Sequence, residues 1–300
     1  MKSDGIISVF IVRSMPSTID NAGTPLQIFE THASYLRHSK SGYWGKPTSS
    51  IDWCEHNYAV SFYIAEYYNT ITNIGFILVG LFGAIQAYKK GIEFRFVLCY
   101  ICTIMIGIGS ALFHGTLTHV GQQGDETPMM LFACTFVICL IFLKPSTESI
   151  YGKNTFNYSI VFAVVFALSF AVLHWHYRFV LVFQGLIGVG AVGCAFLIRP
   201  HQLICSNPKV QMLGWHYYVG GLVFAFFLWQ LDVHFCEQLH QFTFNPQFHA
   251  WWHFGCSIHC YSGTTFLIYQ RQIYLGKKKP ILKYFMKVLP YVDFLEESKE

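Results

Sequence analysis

Two histidines, His249 and His253, stand four residues apart at the start of a long apolar run. On a helix that spacing puts both rings on one face, as a metal requires of two ligands from one element. A third, His114, lies at the far end of another apolar run, four residues after Ser110. Asp125 follows a short link later, at the start of a third run. A single histidine in such a setting is commonly just a hydrogen-bonded structural group. Three at one depth beside a carboxylate point instead to a metal. Three protein ligands leave a fourth position for water, the arrangement of catalytic zinc. Zinc lowers the pKa of its water to about 7 and polarises a carbonyl. Asp125 would accept and pass on the proton, and Ser110 would hydrogen-bond a developing oxyanion. A serine nucleophile is disfavoured, since no separate base accompanies it.

The elements that must position these groups are membrane spans. Of 300 residues, 53% are hydrophobic and 12% charged, against roughly 25% charge in an average soluble domain. No basic block suggests a nucleic-acid partner, and the net charge is only +4. The apolar run Ile6–Val12 is bracketed by Asp4 and Arg13, so targeting is expected from the first span rather than a signal peptide. Seven spans are expected, over 68–88, 96–113, 128–143, 157–173, 179–198, 214–231 and 250–270. The expected fold class is thus all-α, a polytopic seven-transmembrane-helix bundle. Its expected parts are a poorly ordered tail 1–42, a juxtamembrane segment 43–67, a catalytic membrane domain 68–275 and a basic tail 276–300.

Lys and Arg orient the bundle. The links on the side of the histidines carry only Arg178, or six basic residues if 1–67 is included, while the other side carries fourteen. The N-terminus is therefore expected in the lumen, the C-terminus in the cytosol, and the histidines near the lumenal face. The sequon Asn157-Tyr158-Ser159 falls on the cytosolic side and is expected to be unmodified.

Two further groupings lie on the lumenal side. Asp52, Glu55, Asn57 and Glu66 are hard oxygen donors of the kind calcium takes, although a solvated juxtamembrane face would read the same way. Of ten cysteines, only Cys54 and Cys236 lie in lumenal segments outside the spans, and a disulfide between them is expected. The remaining eight are expected to be free, and the other histidines, His174 and His259 among them, to be structural.

The surrounding motifs resemble the alkaline ceramidases. They are Tyr43-Trp44-Gly45, Ile51-Asp52-Trp53-Cys54-Glu55-His56-Asn57-Tyr58 and Tyr63-Ile64-Ala65-Glu66-Tyr67-Tyr68-Asn69-Thr70. Gly109-Ser110-Ala111-Leu112-Phe113-His114, Asp125-Glu126-Thr127-Pro128-Met129 and Gln247-Phe248-His249-Ala250-Trp251-Trp252-His253 follow in the family's order. The resemblance implies a seven-span hydrolase of endoplasmic reticulum or Golgi membranes that cleaves ceramide, reached from the bilayer, into sphingosine and a fatty acid. It implies zinc at His114, His249 and His253, with Ser110 and Asp125 beside it. It also implies calcium at Asp52, Trp53 (through its carbonyl), Glu55, Asn57 and Glu66, with Trp252 lining the substrate pocket. A monomer is expected. The alternative is a seven-span lipid receptor of the adiponectin-receptor type with similar zinc geometry, against which the Asp-Trp-x-Glu-x-Asn segment argues.

Overall fold

The structure, a computed structural model, describes residues 42–295. All but the last residue of the expected tail 1–42 lies outside them. A loop segment leads into α1 (Tyr67–Thr72), α2 (Ile74–Lys89), α3 (Phe94–Thr116) and α4 (His119–Ile141). Then come α5 (Pro145–Tyr151), α6 (Lys153–Tyr177), α7 (Val180–Leu203) and α8 (Pro208–Met212). A π-helical stretch, Leu213–Gly220, runs on into α9 (Gly221–His234), before α10 (Cys236–Leu239) and α11 (Phe248–Leu275). An antiparallel hairpin, β1 (Pro280–Phe285) and β2 (Leu289–Phe294), ends the described chain.

Among the described residues, six helical stretches are long and apolar enough to cross a membrane. They are Tyr67–Lys89, Phe94–Thr116, His119–Ile141, Asn154–Tyr177, Val180–Leu203 and Pro208–His234. The expected seventh, α11, is as long as the others. At about 1.5 Å per residue its 28 residues extend roughly 42 Å. It is too polar to count by hydropathy because it lies inside the bundle: His249, His253, His259, Gln270 and Arg271 are all buried on it. In contrast α6 and α7 leave most of their apolar side chains exposed, Phe162, Val189 and Phe196 among them. A bilayer accepts such faces and water does not.

One expectation is corrected. The third span is expected over 128–143 with Asp125 at its start, but α4 begins six residues before Asp125, at His119. Leu117 takes a left-handed conformation (φ 49°) and the Thr118 side chain accepts from Gly121 N at 3.1 Å, so a two-residue link with an N-cap starts the helix early. Asp125 therefore sits on a helix. The expected basic tail 276–300 holds the hairpin, whose Asp293 pairs with Lys283 (2.8 Å) and with Lys90, while Tyr261 donates to the Pro290 carbonyl at 2.5 Å.

At the end of the bundle away from the histidines, Arg95 and Arg271 are buried and share Glu93 and Glu148, and both donate to the Phe142 carbonyl. This network ties α3, α4, α5 and α11 together. At the histidine end the loop segment is stitched to the last turn of α3. Ala65 N and Glu66 N donate to the Gly115 and His114 carbonyls at 2.9 Å each, which a helix terminus otherwise leaves unpaired.

Cys54 and Cys236 form a disulfide in the structure, and the other eight cysteines carry free thiols. With both sulfurs bonded to each other, the cluster of Cys54, Cys236 and His240 is not a metal site. We expect eight titratable thiols in the denatured protein and ten after reduction. The disulfide closes a 182-residue separation; Cys236→Ser should cost about 2–4 kcal/mol of stability, read as a lowered midpoint of thermal unfolding.

Candidate metal centre

His114, on the last turn of α3, and His249 and His253, on the first two turns of α11, bring one ring nitrogen each to within 4.8 Å of one another, and all three are buried. Small ring rotations bring such nitrogens onto one ion. Two of the rings are held in a definite tautomer. Glu66, fully buried, accepts from His114 Nδ1 at 2.5 Å. Thr72 Oγ1 lies 3.0 Å from His253 Nδ1 and spends its own proton on the Tyr68 and Asn69 carbonyls. Its oxygen lone pair is then free to accept from that ring, the arrangement in which Nδ1 carries the proton. Both histidines thus carry Nδ1–H and keep Nε2 as a lone pair, as zinc ligands do when an outer partner holds them. The Nδ1 of His249 is buried with no partner. Its ring stacks on Trp53 at 3.8 Å, and its backbone N–H donates to Asp232 at 3.2 Å. Three neutral imidazoles, two of them oriented from outside and one with an orphaned nitrogen, fit a zinc ion by their donor chemistry.

Ser110 lies one turn before His114 on α3 and hydrogen-bonds Asp125 of α4. Their meeting depends on glycine. A Cβ at Gly109 would stand 1.9 Å from the Gly124 carbonyl oxygen and 2.9 Å from Asp125 N. The backbones of α3 and α4 touch there. Gly109→Ala must push these two backbones apart. We expect a loss of roughly 100-fold in turnover, because a displacement of about 1 Å costs that much, with the protein still inserted in membranes.

The expected calcium residues cluster, but they do not play identical parts. Asp52 is bridged to Asn57 Nδ2 at 3.0 and 3.1 Å and stands beside the Glu66 carboxyl. The Asn57 Oδ1 is buried without a partner. Glu55 accepts from Tyr68 N and Asn69 N at 2.8 Å each, capping α1. Trp53 donates its backbone N–H to Glu66 at 3.0 Å. Burial, then repulsion by Glu66, pushes the Asp52 carboxyl up to about 8. Burial above all, and then the charge of Glu55, raises Glu66 to about 8. Burial also raises Glu55. Asp52, Glu66 and the orphaned amide oxygen of Asn57 offer oxygen donors of the chemistry calcium takes, while both Glu55 oxygens are already engaged in capping α1.

Other residues around the candidate site carry no clear signal in the sequence. Glu66 holds a histidine as well as belonging to the acidic group. Asp232 accepts from both Cys54 N and His249 N, at 3.1 and 3.2 Å. Trp229 sits between Trp53 and Trp252, with ring separations of 6.2 and 6.1 Å, and the three form an aromatic wall that includes the expected pocket residue Trp252. An acidic residue near the end of an apolar run was the one available signal for Asp232.

A model of the Ceramidase family matches residues 45–293. An alkaline ceramidase of Arabidopsis thaliana is 34% identical over 86% of this chain and 97% of its own length. Alkaline ceramidase 3 of Mus musculus is 32% identical over 87% and 97%. An alkaline ceramidase of Saccharomyces cerevisiae is 34% identical over 68% of each chain.

Proposed function

The chain belongs to the ceramidase family, and from that premise we propose that it hydrolyses the amide bond of ceramide to sphingosine and a fatty acid, using a zinc centre at His114, His249 and His253. The observation that carries this reading is the buried histidine triad with outer partners on two rings, beside a Ser110–Asp125 pair. When bound, zinc would supply an acidified water and a polarised carbonyl. In the reaction Asp125 takes a proton from the attacking water as its oxygen bonds to the amide carbon. Ser110 donates to the carbonyl oxygen as it gains charge. Asp125 then gives the proton to the nitrogen as the C–N bond breaks, releasing the amine. Trp53, Trp229 and Trp252 provide the apolar wall against which a lipid tail packs. Purified protein incubated with ceramide should release sphingosine and fatty acid in equal amounts. Intact ceramide would reject the reading.

With α11 counted as a span the bundle has seven. Their order and the excess of Lys and Arg on the far side support a lumenal N-terminus and a cytosolic C-terminus, and we propose endoplasmic reticulum or Golgi membranes as the residence on the family resemblance alone. Ceramide then reaches the site from the bilayer.

Calcium at Asp52, the Trp53 carbonyl, Glu55, Asn57 and Glu66 would brace the segment that holds His114 through Glu66. Asp52 and Glu66 bind protons more tightly folded than unfolded, so their contribution to stability is fully present below about 4 and is lost as pH rises through about 8. Calcium needs both carboxylates ionised. Its stabilising effect should therefore be small near about pH 6 and grow up to about pH 8 to 9. Thermal unfolding with calcium or with a chelator, across that range, checks this; a calcium shift independent of pH would contradict it.

A further inference from the structure

Glu126 follows Asp125 on α4, and its side chain is buried against His174 of α6, whose Nε2 donates to Glu126 Oε2. Gln122, one turn earlier, donates to the other carboxylate oxygen at 3.0 Å and accepts from Ser50 N at 2.7 Å. One line of hydrogen bonds thus runs from the loop segment across α4 to α6. It passes directly beside the Asp125 position.

Elsewhere α6 meets α4 through His119, whose Nε2 lies 3.0 Å from the Trp175 carbonyl, and through apolar packing. Its inward stripe is Ala163, Ala167, Phe170 and His174, and His174 is the one buried polar residue on it among those described. The ring stacks between Phe170 and Phe183, and its Nδ1 has no partner. Its hydrogen bonding is therefore committed to Glu126. Consecutive residues on a helix point about 100° apart. At the level of the Asp125 position α4 is held from two directions, Asp125 by Ser110 on α3 and Glu126 by His174 on α6, while its first residue, His119, is tied to Thr48 and Trp175.

Resting on the hydrolytic reading of the site, we propose that Glu126 and His174 are positioning residues for the reaction. Their bond would fix the rotation of α4 that aims Asp125 at Ser110 and the histidines.

The test measures kcat, KM, zinc content and thermal unfolding for wild type, Glu126→Ala, His174→Ala, the double variant and Glu126→Gln. We expect kcat to fall roughly 10- to 100-fold in both alanine variants, with KM and zinc content within about threefold of wild type. The double variant should be no worse than either single one. Glu126→Gln keeps an oxygen to accept from His174 and should retain kcat within about fivefold. Unchanged kcat in the alanine variants, even with lowered unfolding temperatures, would overturn the proposal and leave a structural pair. If those variants do not fold, Glu126→Leu with His174→Phe restores apolar packing; low kcat in that stable protein supports the proposal and wild-type kcat overturns it. Wild-type protein that leaves ceramide intact would overturn the hydrolytic reading and the positioning role together, whereas wild-type turnover with unaffected variants overturns the positioning role alone.

Discussion

His249→Ala is expected to abolish ceramide hydrolysis, by at least about 1,000-fold, or about 4 kcal/mol of barrier. Two ligands do not retain zinc as three do, so the loss removes the reaction's electrophile and its acidified water at once. The fold should survive. His249 is tied to Asp232 through its backbone N–H, which alanine keeps, and its side-chain Nδ1 makes no bond to lose. Removing an outer partner should be milder. Thr72→Ala loosens a ring without deleting a ligand, a change worth about 10- to 100-fold. Membrane insertion, elution as a single species and sphingosine release are the measurements. Turnover retained in His249→Ala would remove this residue from the metal.

Asp125→Asn should be nearly as damaging, through a different step. Asparagine has the same shape and can still accept from Ser110, so the contact between α3 and α4 persists. What goes is the group that accepts a proton from water and returns it to the leaving amine. General acid–base groups contribute roughly 10²- to 10⁴-fold, and a loss in that range should fall on kcat with KM little changed. Zinc should stay bound. A variant that loses zinc, or whose deficit lies in KM, would place Asp125 among the structural or binding groups and leave proton transfer to another residue.

The contrast between these residues and the ones the sequence concealed has a physical basis. His249 and His253 declare themselves because helical periodicity turns a four-residue spacing into a shared face, and His114 because ionisable groups are rare in apolar runs. The start of α4 was hidden because Gln122, Gln123, Asp125 and Glu126 read as a loop. Only their tertiary partners on α3, on α6 and in the loop segment let them lie inside a bundle. His174 looked like an ordinary histidine at a helix end for the same reason, since its partner is 48 residues away. Glu66 was grouped with the acidic residues nearest in sequence, yet its shortest contact is with His114, also 48 residues distant. The hairpin after α11 was masked by the run Lys277–Lys279, whose charge outweighed the alternation that follows it. Local spacing marks ligands on one helix. Which carboxylate orients which ring is decided by packing between helices.

On this reading His114, His249 and His253 form a zinc site that performs amide hydrolysis. Elemental analysis of the purified full-length protein tests it most directly. One zinc ion per chain in the wild type, falling to near zero in His249→Ala, is the expected result. Wild-type protein that hydrolyses ceramide while carrying no zinc would contradict it.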